Sequence, residues 1–324
     1  HRAMPLASDL DFLSCDWGTS HFRLRWVAGG RVVREFQDEN GCKRLLKASR
    51  QNPELSRAHF YEDQLGSALK GWEEFRLEAS ELPLVISGMA SSTIGWVELP
   101  YAKAPVRLDG IGFKVQKVTW AGPAWIGETF LVSGVATSTN MMRGEETEMA
   151  GLLAETMDEA KSALLVLPGT HSKHLQIENG ELQEITTYMT GELFEVLTRH
   201  SVLAASVSGS GGFKENGFAD GVRRACEGGV AANLFLTRTR QVLEGMAPEE
   251  NASFLSGLLI GAELNEAVSK NPGALLIGGS RKLRDIYSRA LEKLGARNWR
   301  CFSDEECQNA VPVGQQLILK RLRT

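Results

Sequence analysis

Met142-Arg143-Gly144-Glu145-Glu146-Thr147-Glu148 sets two adjacent carboxylates and a guanidinium around a glycine. These groups suit removal of a proton from a hydroxyl and retention of an anion. The stretch lies between two segments of similar design. Phe12-Leu13-Ser14-Cys15-Asp16-Trp17-Gly18-Thr19-Ser20 is an apolar run that ends in a carboxylate, a glycine and two hydroxyls. Leu164-Leu165-Val166-Leu167-Pro168-Gly169-Thr170-His171-Ser172-Lys173 ends in a glycine, two hydroxyls and a cation. A magnesium–nucleotide complex needs a hard oxygen ligand for the metal, and N–H groups and small hydroxyls able to approach its phosphates. Asp16 offers the first requirement and the two glycine turns the second. The order predicts a two-lobed phosphotransferase.

Each turn also has a plainer reading. Asp16 alone is an acid in a strand-end turn, and Glu145, Glu146 and Glu148 alone are favourable first-turn acids of a solvated helix. His171 and His174 read as solvated turn and strand residues, and no carboxylate or cysteine accompanies them at the spacing of a zinc site.

The elements that must position these residues are legible from periodicity and turn chemistry. Phe22, Leu24 and Trp26 alternate after the first turn, as in a hairpin. Asn179-Gly180 joins two alternating runs and fixes a second hairpin behind Lys173. A third strand-glycine turn, Ala274 to Gly278-Gly279-Ser280, precedes Leu283, Ile286, Tyr287, Ala290, Leu291 and Leu294 at helical spacing. Glycines there let the backbone lie against a base or ribose, with free N–H groups at the helix start. Met149, Leu152, Leu153 and Met157 imply a helix after the glutamates. Further helices are predicted over 45–76 with a break near Pro53, over 192–203, over 217–244 and over 249–268, with short strands over 98–117. Ser208-Gly209-Ser210-Gly211-Gly212 reads as a connecting loop.

Three such turns with an acidic stretch between the first two resemble the superfamily of sugar kinases, actin and heat-shock chaperone ATPases. Six motifs in order resemble one family more closely. Asp16-Trp17-Gly18-Thr19-Ser20, Gly88-Met89-Ala90-Ser91-Ser92-Thr93-Ile94-Gly95-Trp96, Met142 to Thr147, Pro168 to Lys173, Met189-Thr190-Gly191-Glu192-Leu193 and Phe254 to Glu263 are similar to the 2-keto-3-deoxygalactonate kinase family. The resemblance implies an α/β, two-lobed ribonuclease-H-like sugar kinase/actin-type ATPase fold, with mixed sheets flanked by helices and a cleft between lobes. It implies transfer of the ATP γ-phosphoryl group, with Mg2+, to the C6 hydroxyl of 2-dehydro-3-deoxy-D-galactonate in galactonate catabolism. On that basis Asp16 serves the metal, directly or through water. Gly18, Thr19, Ser20, Gly169, Thr170, His171, Ser172 and Lys173 serve the phosphates, and Gly278, Gly279 and Ser280 the adenosine. Gly88, Met89, Ala90, Ser91 and Arg143 serve the sugar acid, Arg143 either by binding the substrate carboxylate or by orienting the glutamates. Glu145 or Glu146 accepts the proton where related kinases carry an aspartate, with Glu146 slightly favoured.

Composition agrees with an enzyme of this kind. At 324 residues and 43% hydrophobic the chain can form two cores. Residues 1–160 are expected to form the first lobe, with 1–4 a tag remnant, and 161–324 the second. The segment from Val311 to Leu322 is a candidate to pack back on the first. A net charge of −4 without a long basic run argues against nucleic acid as a partner. No apolar run reaches the roughly 20 residues of a membrane span. Five cysteines without a metal motif or signal sequence point to a reducing cytoplasm, and alternation turns Cys15 into the core, away from Asp16. Self-association stays open. So do three alternatives: a kinase for another 2-keto-3-deoxy sugar acid, an ATPase, and a sugar-acid sensor on the same fold.

Overall fold

The computed structural model of the chain describes residues 10–72, 81–110, 112–154, 162–207, 212–270 and 273–323. Met157 and residues 208–211 of the predicted glycine loop lie outside them. The chain divides into two compact units, one formed by residues 1–159, 179–184 and 305–324 and the other by 160–178 and 185–304.

The first unit begins with β1 (Phe12–Trp17), β2 (Phe22–Ala28), β3 (Arg31–Asp38), α1 (Cys42–Gln51), α2 (Arg57–Leu69) and β4 (Leu82–Gly88). It continues with β5 (Ala102–Lys103), β6 (Val106–Arg107), β7 (Val115–Val118), β8 (Ile126–Val132), β9 (Val135–Ala136), β10 (Met141–Met142) and α3 (Glu145–Leu152). Its main sheet has the order β3-β2-β1-β4-β8-β7. β4 is buried along its whole length, as its continuous apolar sequence requires of a central parallel strand. β1 pairs antiparallel with β2 and parallel with β4, which sets Asp16 between Arg23 and Ser87 at the carboxyl end of the sheet. Beneath it Trp17 packs on Phe22 and Tyr61. Cys15 and Cys42 are buried, and burial raises both thiols, Cys42 to about 12, so neither is a ready nucleophile.

The second unit is built from β11 (Ser162–Leu167), β12 (Ser172–Glu178), β13 (Glu181–Tyr188), α4 (Thr190–His200), α5 (Glu215–Asn233), α6 (Leu236–Glu244), α7 (Pro248–Lys270), β14 (Ala274–Ile277), α8 (Arg281–Lys293) and β15 (Trp299–Cys301). Its sheet runs β15-β14-β11-β12-β13. β11 is antiparallel to β12 and parallel to β14, and β14 is parallel to β15. This is the arrangement of β3, β2, β1, β4 and β8 over again, the ribonuclease-H-like order expected of the sugar kinase/actin-type ATPase fold. Asn179 and Gly180 both take positive φ, 52° and 75°, as a two-residue hairpin turn of this kind demands.

The helix predicted over 217–244 is divided into α5 and α6. α5 is itself kinked where Gly229 adopts φ 73°, and Asn233 closes that kink by donating to the Arg224 and Gly229 carbonyls. α5 and α7 then meet at a glycine seam, where a Cβ on Gly221 or Gly257 would collide with the carbonyl oxygen of Phe254 or Phe218.

The last helix, α9 (Asp304–Arg323), supplies residues 305–323 to the first unit. It lies against α3 so closely that a Cβ on Gly151 would overlap the Ala310 carbonyl oxygen, and one on Gly314 the Thr147 carbonyl oxygen. Gly66, by contrast, lies in α2 with open space around it. Gly151→Ala is therefore expected to lower stability by about 1–3 kcal/mol through forced separation of α3 and α9. Gly66→Ala is expected to raise it by about 0.5–1 kcal/mol through helix propensity. Urea unfolding of both variants beside the parent chain checks the opposite signs.

Candidate functional site

In the first unit the β1–β2 turn is clamped from outside. Gly41, just before α1, has no room for a side chain against Thr19 and Ser20, and the N–H groups of Cys42 and Lys43 donate to the Gly18 and Thr19 carbonyls. Thr19 and Ser20 are exposed, and their hydroxyls bond to no described residue. Asp16 is half-buried and accepts no hydrogen bond from any described residue. Burial holds its carboxyl above the usual range, opposed by the charges of Arg25, Arg23 and His21. No three carboxylates, imidazoles or thiols converge as a metal site among the described residues. A Mg2+ that arrives on a nucleotide needs only one or two protein carboxylates, with phosphates and water for the rest, and an unpartnered Asp16 fits that donor set.

The glutamates differ sharply. Gly144 takes φ 112° and stands over Gly88, itself at φ 94° and too close to the Trp17 carbonyl oxygen for a side chain. The close approach brings the start of α3 to the end of β4. Glu146 is fully buried and folds back to accept from the Gly144 N–H at 2.7 and 3.0 Å. Burial, and then the charge of Glu145, raise its carboxyl to about 8 against the pull of backbone N–H groups and Arg143. Glu145 is only half-buried. One of its oxygens accepts from the Arg143 N–H at 3.0 Å, and the other has no partner among the described residues. The slight preference for Glu146 as proton acceptor meets a physical obstacle, because its carboxyl is closed off and Glu145 is the one left open.

Arg143 does not orient the glutamates with its side chain. The guanidinium donates to the Ser91 carbonyl and hydroxyl at 2.5 and 2.7 Å and to the Leu99 carbonyl at 3.1 Å, and lies 4.2 Å over the Tyr101 ring. Its Nε is buried without a partner among the described residues. Gly88, Ala90 and Ser91 are buried, with the Ser91 hydroxyl donating to the Val132 carbonyl, so Met89 alone of the predicted sugar-acid turn reaches the surface. Arg57 and Tyr61 hold the rest of that loop through the carbonyls of Thr93, Gly95 and Ile94.

A further brace was not visible in the sequence. Gln315 of α9 donates from Nε2 to the Cys15 carbonyl at 2.8 Å and to the Ser87 hydroxyl at 3.0 Å, and Thr147 donates to that same Ser87 oxygen. One amide thus ties β1, β4 and, through Ser87, α3.

The second unit repeats the outer clamp. Gly191 at the start of α4 has no room for a Cβ against Gly169 and Thr170, and the Glu192 N–H donates to the Thr170 carbonyl. Thr170 is exposed, while His171 pairs with Glu192. Ser172 and Lys173 are not available in the way their spacing suggests. The Ser172 hydroxyl is fully buried and donates to Glu263, and Lys173 is 8% exposed with its Nζ on the Thr187 hydroxyl. His174 is likewise no solvated strand residue, being buried with Nε2 at 2.8 Å from Glu263. Alternation along β12 places Ser172 and His174 on one face and Lys173 on the other.

The third turn adjoins this one, with the Gly278 N–H donating to the Val166 carbonyl and Gly279, at φ 81°, beside Pro168. Gly278 is buried and Ser280 exposed. A cavity of about 660 Å³ opens here, lined at one end by Gly169 and Thr190 and along its wall by Lys282, Leu283, Ile286 and Tyr287. That size and its largely apolar wall suit a nucleoside.

A family model for 2-keto-3-deoxy-galactonokinase matches residues 16–311. A protein of Rhizobium meliloti (strain 1021) described as "Probable 2-dehydro-3-deoxygalactonokinase DgoK1" is 31% identical over 95% of this chain and 97% of its own length. The 2-dehydro-3-deoxygalactonokinase of Escherichia coli (strain K12) is 30% identical over 88% of this chain and 90% of its own. The crystal structure of a Sinorhizobium meliloti protein named for the same activity superimposes with a TM-score of 0.77 at 29% identity, over 96% of each chain.

The protonation of Glu146 has a thermodynamic signature. Its folded value of about 8 exceeds the ordinary 4.5, so between these pH values the native state keeps a proton that the unfolded chain releases. Stability from this group is full below about 4.5 and declines as pH rises to about 8, at no more than about 1.4 kcal/mol per pH unit. Glu146→Gln removes that slope. Urea unfolding at pH 5 and pH 8.5 is expected to show the variant gaining on the parent chain at the higher pH.

Proposed function

The chain belongs to the 2-keto-3-deoxy-galactonokinase family, and we propose that it transfers the γ-phosphoryl group of ATP to the C6 hydroxyl of 2-dehydro-3-deoxy-D-galactonate. The observation that carries a transferase reading of these residues is the contrast at the start of α3. One glutamate is sealed and holds a proton, and its neighbour keeps an oxygen free.

Phosphoryl transfer asks little covalent chemistry of a protein. The attacking hydroxyl must be held in line, its proton accepted and the charge of the transferring group neutralised. In this reading Glu145 accepts the C6 proton, and the Arg143 N–H on its other oxygen fixes the carboxylate's orientation. Asp16 holds the Mg2+ of MgATP, directly or through water, and the metal supplies charge neutralisation on the phosphates. Thr19 and Ser20 in the first unit, and Gly169 and Thr170 in the second, each form a turn with hydroxyl and N–H groups suited to phosphate oxygens. The adenosine occupies the 660 Å³ cavity of the second unit, against Lys282, Leu283 and Ile286 of α8.

Arg143 has two duties. Its bonds to Ser91 and Leu99 hold the Gly88 to Ser91 turn in place, and its buried Nε is the donor left over for the substrate's carboxylate. A guanidinium already stacked on Tyr101 has lost little further freedom when it takes that acceptor, which favours binding.

A coupled ADP-release assay with MgATP tests the assignment, using 2-dehydro-3-deoxygalactonate, its gluconate epimer, galactonate, galactose and no sugar in turn. Turnover is expected with the first alone. Turnover without sugar would instead mark an ATPase, and silence throughout a sensor. Glu145→Gln is expected to lower kcat by about 10²–10⁴-fold, with both KM values changed little. Glu146→Gln, which keeps the shape of a group already protonated, is expected to cost less than about tenfold in kcat. Equal losses in the two variants would remove Glu145 from the role of base.

A further inference from the structure

Glu263 is a carboxylate in the middle of α7, 2% exposed, on a helix whose neighbouring residues from Leu258 to Leu264 are almost all apolar. It has no lysine or arginine partner among the described residues. Its two oxygens are satisfied instead by four side chains from three other elements. The Ser172 hydroxyl donates to Oε1 at 2.6 Å, and His174 Nε2 lies 2.8 Å from that atom. The Tyr287 hydroxyl donates to Oε2 at 2.9 Å, and the Thr190 hydroxyl donates to the same oxygen.

The elements so joined are those that shape the nucleotide half-site. Ser172 and His174 open β12, immediately after the Gly169-Thr170 turn. Thr190 starts α4, whose Gly191 presses on that turn and whose Glu192 N–H caps the Thr170 carbonyl. Tyr287 belongs to α8, and Thr190 and Tyr287 both line the cavity. A buried carboxylate that lacks donors is costly, so its demand for four of them locks turn, helix start and cavity wall in one arrangement.

We propose that Glu263 is the positioning residue of ATP binding: it touches no nucleotide, and it holds the phosphate turn and the adenosine wall in register with each other. The proposal rests on the reading that the nucleotide occupies the second unit's cavity. It goes beyond that reading by assigning nucleotide affinity to a residue that does not line the cavity.

Steady-state kinetics on full-length variants, with KM for ATP and for the sugar acid measured separately, test it. Ser172→Ala is the cleanest probe, because Ser172 is sealed from the cavity and contacts Glu263. Ser172→Ala, Tyr287→Phe and Thr190→Val each leave Glu263 short of a donor and are expected to raise KM for ATP by about tenfold. KM for the sugar acid is expected to stay within about twofold, because no bond to the acid's site is touched. Thr190→Ser restores the hydroxyl and is expected to restore KM for ATP, which a packing role for the threonine methyl would not do. Glu263→Gln cannot accept at its amide nitrogen and is expected to raise KM for ATP. Adding Ser172→Ala to it should then do less than the two changes separately. Should Glu263→Gln fail to fold, the Thr190→Val and Thr190→Ser pair carries the comparison. Leu283→Trp, which fills the cavity, separates the two levels of argument. If it leaves KM for ATP unchanged, the nucleotide lies elsewhere and the premise falls. If it raises KM for ATP while Ser172→Ala, Tyr287→Phe and Thr190→Val do not, the premise stands and the role of Glu263 is overturned.

Discussion

A carboxylate removed from water must be given hydrogen-bond donors or it takes up a proton, and four carboxylates of this chain meet that constraint in four ways. Glu263 has four side-chain donors and serves as an anchor. Glu146 has backbone N–H groups and is sealed, and burial keeps it protonated to about pH 8. Glu145 has one donor and one open oxygen. Asp16 has none from the described residues and faces the Arg25 and Arg23 guanidinium groups at longer range. The gradation runs from structure to chemistry. Where donors are complete, the carboxylate organises its neighbours, and where they are missing, it is free to take a proton or a metal.

The backbone that makes this possible is used twice. Each unit carries a central strand, a turn with a glycine and exposed hydroxyls, a hairpin, and a helix whose first glycine presses on that turn. Gly41 does so on Thr19 and Ser20, and Gly191 on Gly169 and Thr170. In both, N–H groups at the helix start meet the turn's carbonyls, so the turn's own N–H groups can face an anion. The inner supports differ. In the first unit the neutral Gln315 amide braces the strand ends, and in the second the ionisable Glu263 does so.

Much of this architecture was legible in the residue order, for identifiable reasons. Asn179-Gly180, the break near Pro53 and the three strand-glycine turns are local signals, set by φ preferences that act within a few residues. The duplicated strand order was not legible, because a strand tolerates any apolar residue and the second copy shares a pattern rather than a sequence. Ser172 illustrates the limit of spacing. It stands in a hydroxyl-rich turn beside Thr170, yet it is already the first residue of β12 and points inward. Gln315 and Glu263 were missed because their partners lie far away in sequence, Cys15 and Ser172 among them. A local signal for Glu263 did exist. An acid within the otherwise apolar run from Leu258 to Leu264 must either break the helix face or find buried partners, and the sequence shows no break. Between the two glutamates of α3 the sequence supported only a slight preference for Glu146, since which one folds back on Gly144 depends on the path of a glycine at positive φ.

The burial of Glu146 bears on Glu145 as well. Two ionised carboxylates on adjacent residues, near a polyanionic nucleotide, would oppose the very charge that phosphoryl transfer must accommodate. Because Glu146 stays protonated up to about pH 8, it sets no charge beside Glu145 at neutral pH. Replacing Glu146 by an apolar residue would set no charge there either, but would remove the acceptor for the Gly144 N–H, and with it the fold of the turn on which the open glutamate stands. A sealed, protonated acid is therefore a fitting occupant of that position. It satisfies the backbone at the helix start as a carboxylate would, and adds no charge beside the glutamate proposed as the base.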